Sequence, residues 1–275
     1  MRLAAVLTII VMTGLAGCAP SGSTTEEGKP ATDPGTKESL YEQGHKLYVE
    51  AKRDSAVSYL ERAREMDPAY IPPLRDLGEI YYVSAMARST GSAERESGMR
   101  KALGCYADIE SLGKADENTL DRLTEISHSL GETESFVAYA EKHAVQYPGD
   151  RQSYNLGLAY FGAGVWQNVI DTQKQAISKY PHSPYVGGFH RLLGDGYLNV
   201  DRQQSAERTY EEGVLVVDQR IAGMTKADPD FGSSPEFRRL ADSRKAMLLS
   251  LQQIYRLHKK QDKLSQVESR LKEDP

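Results

Sequence analysis

The side chains that could perform chemistry are scattered along this sequence and form no recognisable reactive set. None of the histidines falls in a His-Glu-x-x-His motif or in a Cys/His cluster with zinc spacing; they are His45, His128, His143, His182, His190 and His258. The glycine-rich segment 187–194 lacks the Lys-Ser/Thr pair of a phosphate-binding loop. The acidic segment 228–232 contains a proline and lacks the last ligand of a calcium loop, so we interpret it as a turn. There is no Gly-x-Ser-x-Gly motif. We therefore expect no metal, no cofactor and no enzymatic activity.

The two cysteines have different surroundings. Cys105 lies between Leu103 and Tyr106 on a helical pattern of apolar residues, which is typical of a small buried core residue. Cys18 lies near the N-terminus, after a short apolar run. If Cys18 is modified, no intramolecular disulfide can form.

Composition limits the class of partner. The formal net charge is −5 over 275 residues, with 39% hydrophobic and 27% charged residues. Nucleic-acid binding requires clustered Lys and Arg, so we expect no nucleic-acid partner. The length suits one or two domains or one repeat array, and the recurring pattern described below favours the array.

The first residues have the order of a secretory signal. Met1-Arg2 is followed by the apolar run Leu3–Met12, which is too short to span a membrane, and then by small residues. The sequence Leu15-Ala16-Gly17-Cys18 resembles a bacterial lipobox. This resemblance implies that residues 1–17 are removed and that lipid is attached to Cys18. The alternative is an ordinary signal peptide that happens to contain a cysteine.

A lipidated Cys18 would fix the chain to a bilayer, because more than one acyl chain gives stable anchoring. The residue after the cysteine is Ala19, whereas an Asp there commonly retains lipoproteins at the inner membrane. By resemblance, we expect attachment to the outer membrane with the chain in the periplasm. Residues 18–37, rich in Pro, Ser, Gly, Thr and Glu, predict a disordered tether. As a flexible coil, the about 19 residues from Ala19 to Lys37 would span roughly 20–25 Å.

A pattern of small and large residues begins after the tether and predicts two antiparallel helices joined by a turn near residues 51–54. Its members are Leu40, Gly44, Leu47, Ala56, Leu60, Ala63 and Pro68. The pattern resembles the tetratricopeptide repeat (TPR), whose unit has Gly in the first helix, Ala in the second and Pro at the exit. The resemblance extends over residues 38–272. It implies an all-α fold, a right-handed superhelix of about six helical hairpins with a concave face.

The later units vary in clarity. Gly78, Gly157 and Gly194 occupy the first-helix glycine position, whereas Thr124 takes it in the third unit. Residues 84–98 depart from the pattern, which indicates either an insertion or extended helix ends. Residues 218–235 also break the rhythm, and we predict a loop there, followed by a divergent sixth unit with helices at 236–257 and 263–272.

The resemblance places the partner-binding groove on exposed positions of the first helices. Carried over unit by unit, these are Tyr41, His45, Tyr48, Arg75, Glu79, Tyr82, Asp121, Glu125, His128, Arg151, Tyr154, Asn155, Leu158, Phe161, Arg191 and Asp195. Aromatic and Arg side chains are common in interface hot spots. The alternative is that several of them pack against the next unit.

Three functions are compatible with the sequence. The first is a lipid-anchored, non-enzymatic adaptor that binds a segment of an envelope protein. The second is a module that binds peptidoglycan or another envelope ligand in the groove. An enzyme is the third, and no motif supports it.

Overall fold

The computed structural model describes residues 35–273; the signal segment, Cys18 and the tether up to residue 34 lie outside the described residues. Within residues 35–273 the chain forms α-helices and one 3₁₀ turn, without strands. The helices are α1 Lys37–Val49, α2 Arg53–Met66, α3 Ile71–Met86, α4 Ala93–Ser111, α5 Glu117–Leu130, α6 Thr133–Gln146, α7 Asp150–Gly162, α8 Trp166–Lys179, α9 Val186–Asn199, α10 Gln203–Ala227, α11 Pro235–Leu257 and α12 Gln261–Glu273. No helix in this described range is long and apolar enough to cross a membrane.

The helices pair in sequence order, α1 with α2 through to α11 with α12, and each hairpin packs on the next. The first helices of neighbouring hairpins also touch, as α1 does with α3 and α9 does with both α7 and α11. We call the side formed by α1, α3, α5, α7, α9 and α11 the inner face. The predicted all-α array of helical hairpins is confirmed.

Polar caps fix where several helices begin. The side chains of Thr36, Ser92, Asp116 and Ser234 each accept a hydrogen bond from the backbone N–H three residues later, which satisfies an amide that the helix leaves unpaired. Gly131 ends α5 in the left-handed conformation at φ 69°, which costs glycine little. These local signals set the hairpin lengths.

Within a hairpin, a small residue on the first helix faces a large one on the second. A Cβ placed at Gly44 would lie 2.7 Å from Leu60 Cγ, and one at Gly78 would lie 2.9 Å from Tyr106 Cζ. Gly157 faces Gln173 and Gly194 faces Tyr210 in the same way. The glycine therefore leaves the space that the partner side chain fills.

The third hairpin departs from this arrangement. Thr124 replaces the glycine, and Ala140 stands at the sequence offset that separates Gly44 from Leu60. Both residues are buried, at 1% exposure each. The Thr124 hydroxyl donates to Leu120 O at 2.7 Å, so the buried oxygen is satisfied inside α5. The weak sequence match at this unit reflects the absence of both the glycine and the large residue at these two positions.

Tyrosine hydroxyls connect one hairpin to the one before it. A tyrosine on a first helix donates to a glutamate on an earlier second helix in three places: Tyr81 to Glu61 at 2.8 Å, Tyr160 to Glu141 at 2.8 Å and Tyr255 to Glu211 at 2.6 Å. The ring fills the gap between hairpins while the hydroxyl bonds at the surface. This accounts for part of the tyrosine content.

The departure at residues 84–98 consists of extended helix ends. Helix α3 continues to Met86 and α4 begins at Ala93, so the second hairpin is longer than its neighbours. Met99 is buried between these extended ends, and a Cβ at Gly98 would lie 2.8 Å from Ala85 Cβ. Of the two interpretations offered by the sequence, extended helix ends describe the structure, with residues 87–92 as the connection.

The loop predicted at residues 218–235 is wrong over its first half. Helix α10 continues to Ala227, followed by the 3₁₀ turn Pro229–Ser233. Ile221 and Met224 extend the apolar side of α10 and pack against the same core as the buried Phe231. Tertiary packing therefore continues the helix past the point at which the repeat pattern ends.

Cys105 is a free thiol that is 1% exposed in the core of the first two hairpins. Burial raises the pKa of its thiol to about 12, so the thiol stays protonated and unreactive at neutral pH. This agrees with its interpretation as a core residue.

Because Gly194 faces the Tyr210 ring, a larger residue at position 194 should lower the stability of the protein. Replacement Gly194→Ala places a methyl group in the Tyr210 ring, and we expect the free energy of unfolding to fall by about 1–3 kcal/mol. Gly104→Ala is the matched control, because Gly104 lies inside α4 with no atom near its absent Cβ. The control should stabilise the protein by up to about 1 kcal/mol through helix propensity. Urea unfolding followed by circular dichroism measures both, and equal stability of the two variants would contradict the packing described.

Candidate functional site

The sixteen groove candidates lie on the first helices, and many of them bond to a neighbouring first helix. On α1, His45 Nδ1 lies 2.7 Å from Asp76 Oδ2 of α3. The Tyr41 ring meets the Tyr70 ring edge-on, with centroids 5.8 Å apart. Tyr48 is half-buried and packs, like Tyr41, against the apolar core of the first two hairpins. This end of the inner face is therefore occupied by contacts within the array.

A charged network joins α3 to α5. Glu79 accepts hydrogen bonds from the Tyr106 hydroxyl at 3.0 Å and from Arg122 Nε and Nη2 at 3.2 Å each. The Arg122 guanidinium lies 4.1 Å from the centre of the Tyr82 ring, and the Tyr82 hydroxyl donates to Glu125 at 2.6 Å. Arg122, which is absent from the predicted set, is the centre of this network.

Tyr82 is a correction to the predicted groove. It is only 7% exposed, because its ring is covered by Arg122 and packs into the core of the second and third hairpins. Burial raises the pKa of its hydroxyl to about 12, and the bond to Glu125 acts in the same direction. Tyr82 is thus a packing residue and offers no free surface to a partner.

Further ion pairs continue along the inner face. Arg75 reaches Asp116, the N-cap of α5, at 2.9 Å, and Arg151 on α7 pairs with Asp121 on α5. At the end of α5 the His128 ring lies 4.7 Å from the Phe136 ring. The predicted residues from Arg75 to Arg151 therefore have partners within the array.

Two of the candidates on α7 also pack inside the array. Leu158 contacts the core cluster of Phe136 and Ala159, and the Phe161 ring meets Trp166 edge-on at 5.4 Å. Asn155, one turn earlier on the same helix, is half-buried. For Leu158 and Phe161 the packing interpretation fits the structure better than the groove interpretation.

The inner face opens into a pocket between α7, α9 and α11. Its volume is about 310 Å³, and its lining consists of Tyr154, Pro184, Tyr185, Gly188, Arg191, Arg239, Asp242 and Ser243. The Tyr154 and Tyr185 rings stack with centroids 5.2 Å apart and form one wall. Gly188 allows this approach, since a Cβ there would lie 2.5 Å from the Tyr154 ring. Two predicted residues, Tyr154 and Arg191, are thereby brought together.

The two arginines of the pocket differ in their partners. Arg191 Nη1 donates to Asp195 Oδ2 at 3.1 Å, and Asp195 also accepts from the Tyr210 hydroxyl at 2.6 Å. Burial raises the pKa of Asp195, while Tyr210 and Arg191 act in the opposite direction. Arg239 is exposed, and its guanidinium lies 5.4 Å from the centre of the Tyr185 ring. Among the described residues it has no carboxylate partner. Arg239 is thus the cation of the pocket that remains free.

Sequence reasoning missed Tyr185, Arg239, Asp242 and Ser243. Three of them lie on the N-terminal part of α11, which the sequence presents only as the start of a divergent terminal unit. The available signal was Gly187-Gly188. Gly187 lets Val217 and Ser243 approach α9, and Gly188 does the same for Tyr154. These two glycines let α7, α10 and α11 pack closely against α9.

A second hollow, of about 570 Å³, lies among the loops before α10 and α12. Its polar groups already bond to one another: Lys260 Nζ donates to Glu207 at 2.6 Å, and His258 Nε2 lies 2.8 Å from Gln203 Oε1. This hollow has no aromatic wall. It is therefore a weaker candidate than the pocket on the inner face.

Two of the histidines are buried in the described part of the chain. His143 and His190 are 1% and 6% exposed. Burial lowers the pKa of both rings, against the weaker opposing effects of Glu117 and Glu212. Over residues 35–273, no group of three or more His, Cys, Asp or Glu side chains could hold a metal ion.

Comparison with known proteins supports the fold. No protein-family model and no curated protein matches the chain. Among solved structures, the chain is similar to YrrB, described as a TPR protein with an unusual peptide-binding site, at 10% identity over 69% of this chain and 90% of that one, with a TM-score of 0.53. It is similar to MamA at 14% identity over 68% and 94% of the two chains, with a TM-score of 0.53. A form of MamA from Desulfovibrio magneticus RS-1 gives 16% identity, 68% and 99% coverage and a TM-score of 0.50. At these identities the similarity shows the fold alone, a superhelical array of TPR-like hairpins.

The network around Glu79 predicts a difference between inner-face and surface charges. Glu79→Gln removes the charge that binds the half-buried Arg122, and we expect the free energy of unfolding to fall by about 1–2 kcal/mol. The matched control is Glu96→Gln, because Glu96 pairs with Arg100 in solvent one helical turn away and should change stability little. Thermal unfolding of both variants checks this. Equal losses would mean that the network is worth no more than a surface pair.

Proposed function

We propose that this protein is a non-enzymatic scaffold of the bacterial cell envelope. Lipid on Cys18 holds it at the membrane, with outer-membrane attachment and a periplasmic array favoured by Ala19. The pocket between α7, α9 and α11 binds a segment of a partner protein and keeps it near the membrane, for the assembly or regulation of an envelope complex.

The observation that carries the proposal is the pocket itself. It combines a stacked pair of tyrosine rings with an arginine that has no carboxylate partner among the described residues. Aromatic and Arg side chains supply most of the binding energy at protein interfaces. The other charged groups of the inner face are largely paired within the array, so a partner gains most by binding here.

The fold is the second support. Repeat arrays expose a long inner surface without an enclosed cavity, which suits an extended segment of another protein. One chain of similar fold, YrrB, is described as having a peptide-binding site. Carrying peptide binding over from that protein is an argument by fold analogy.

The tether gives the scaffold its reach. Helix α1 begins at Lys37, and Cys18 lies about 19 residues earlier. A flexible chain of that length covers roughly 20–25 Å. The array would then be close enough to engage a partner that emerges from the same membrane, yet free to rotate toward it.

Photo-crosslinking in cells tests the proposal. A photoreactive phenylalanine replaces Asp242 at the rim of the pocket, or Val145 on α6 as the matched control, which is 81% exposed on a second helix. We expect a discrete crosslinked protein from position 242 and none from position 145. The same cells are fractionated, and Cys18→Ser should move the chain out of the membrane fraction.

The two parts of the proposal can fail separately. Capture from both positions, or from neither, would show that the pocket is not a specific binding site. A chain that remains at the membrane after Cys18→Ser would contradict the lipid anchor but leave the pocket as the binding site.

A further inference from the structure

The pocket exists because one first helix is unusually long. Helix α11 has 23 residues, whereas the other first helices have 13 to 16. Its N-terminal half carries Arg239, Asp242 and Ser243, which form one wall of the pocket. A first helix of 13 or 14 residues that ends at Leu257 would begin after Ser243 and lack all three residues, and one of 16 residues would still lack Arg239. The pocket is therefore a feature of this chain and not of a regular repeat.

The extension is held by its own contacts. Helix α10 is also long, at 25 residues, and pairs with the start of α11. Arg220 on α10 donates to Glu236 Oε1 on α11 at 2.6 and 2.9 Å and to His182 O at 2.8 Å. His182 lies in the segment that leads to Pro184 and Tyr185. Arg220 thus connects the segment that leads to Tyr185 with the helix that carries Arg239.

The charges around the pocket favour an anion. Arg191 and Arg239 line it, and the first turn of α9 borders it at Tyr185 and Gly188, where the helix dipole is positive. Asp195 already offsets Arg191. Asp242 is the one carboxylate in the lining, and no ion pair joins it to Arg239. The Arg239 guanidinium lies 5.4 Å from the centre of the Tyr185 ring and makes no ion pair among the described residues, and a guanidinium can bind a planar carboxylate through two N–H groups.

We propose that this extension-built pocket recognises a carboxylate of the partner segment, with Arg239 as the residue that binds it and Tyr154 and Tyr185 as the surface that packs against the adjoining apolar atoms. The inference rests on the proposed function and gives its partner a chemistry. The carboxylate comes either from an Asp or Glu side chain or from the C-terminus of the chain. A guanidinium binds either one through two parallel hydrogen bonds.

Small probes test the chemistry directly. The full chain, with arginine side chains labelled for NMR, is titrated with N-acetyl-glutamate α-amide, with N-acetyl-alanine bearing a free carboxylate, and with N-acetyl-glutamine α-amide as the neutral match. We expect the Nε–H signal of Arg239 to shift with one or both carboxylates and to remain in place with the glutamine compound. The probe that shifts it more identifies the source, a side chain or a terminus.

Two variants separate charge from shape. Arg239→Gln should weaken carboxylate binding about tenfold or more, because a charge-assisted hydrogen bond is lost. Asp242→Asn should strengthen it by removing a repelling carboxylate from the same lining. Both residues are exposed on α11, so neither change should alter the unfolding curve. An unshifted Arg239 signal, an equal shift with the glutamine compound, or weaker binding by Asp242→Asn would each overturn the proposal.

Crosslinking separates this inference from the proposed function. If position 242 captures the same partner with and without Arg239→Gln, the scaffold function stands and carboxylate recognition is wrong. If the capture depends on Arg239, both stand. If the protein that retains Arg239 captures nothing from position 242, the scaffold function itself fails at this pocket.

Discussion

The close approach of the two helices in each hairpin is the constraint on which the rest of this structure depends. A hairpin of this size buries too little apolar surface to be stable alone, so it must pack tightly both within itself and on its neighbours. Gly44, Gly78, Gly157 and Gly194 each provide the space for one large side chain of the second helix. In the third hairpin Thr124 and Ala140 occupy the corresponding positions, and both are buried, as expected for a close-packed interior.

This constraint also determines the charge pattern of the inner face. Tyr106 and Tyr210 lie across the glycines of α3 and α9, and their hydroxyls reach the residue that follows each glycine, Glu79 and Asp195. Those carboxylates then bind Arg122 and Arg191. The tyrosine that packs across each glycine therefore also hydrogen-bonds to the carboxylate of an inner-face ion pair. A substitution in the core would move a charge on the binding surface.

The sequence predicts the repeating part of the structure well, because the glycine-to-large-residue pattern is local and recurs at a fixed spacing. It predicts less where contacts between distant segments decide the outcome. Helix α10 continues through the first half of the predicted loop because Ile221 and Met224 pack into the same core as Phe231 of the 3₁₀ turn and Phe237 of α11. Tyr82 is buried because Arg122, on the next first helix, covers its ring. Arg239 becomes a pocket residue only once Arg220 fixes the start of α11 beside Tyr185, a contact that no local pattern encodes.

The distribution of paired charges explains why recognition should be concentrated at one end of the inner face. Arg75, Arg122 and Arg151 already bind carboxylates of the array. A ligand that bound one of these arginines would have to break its ion pair and replace the hydrogen bonds that were lost. Little net binding energy is available there. A ligand that binds Arg239 breaks no such ion pair. The Tyr154 and Tyr185 rings beside it already stack on each other, so less conformational entropy is lost when a ligand binds. Tight pairing along α3, α5 and α7 stabilises the array, and the departure from the repeat at α10 and α11 adds Arg239, which has no carboxylate partner among the described residues.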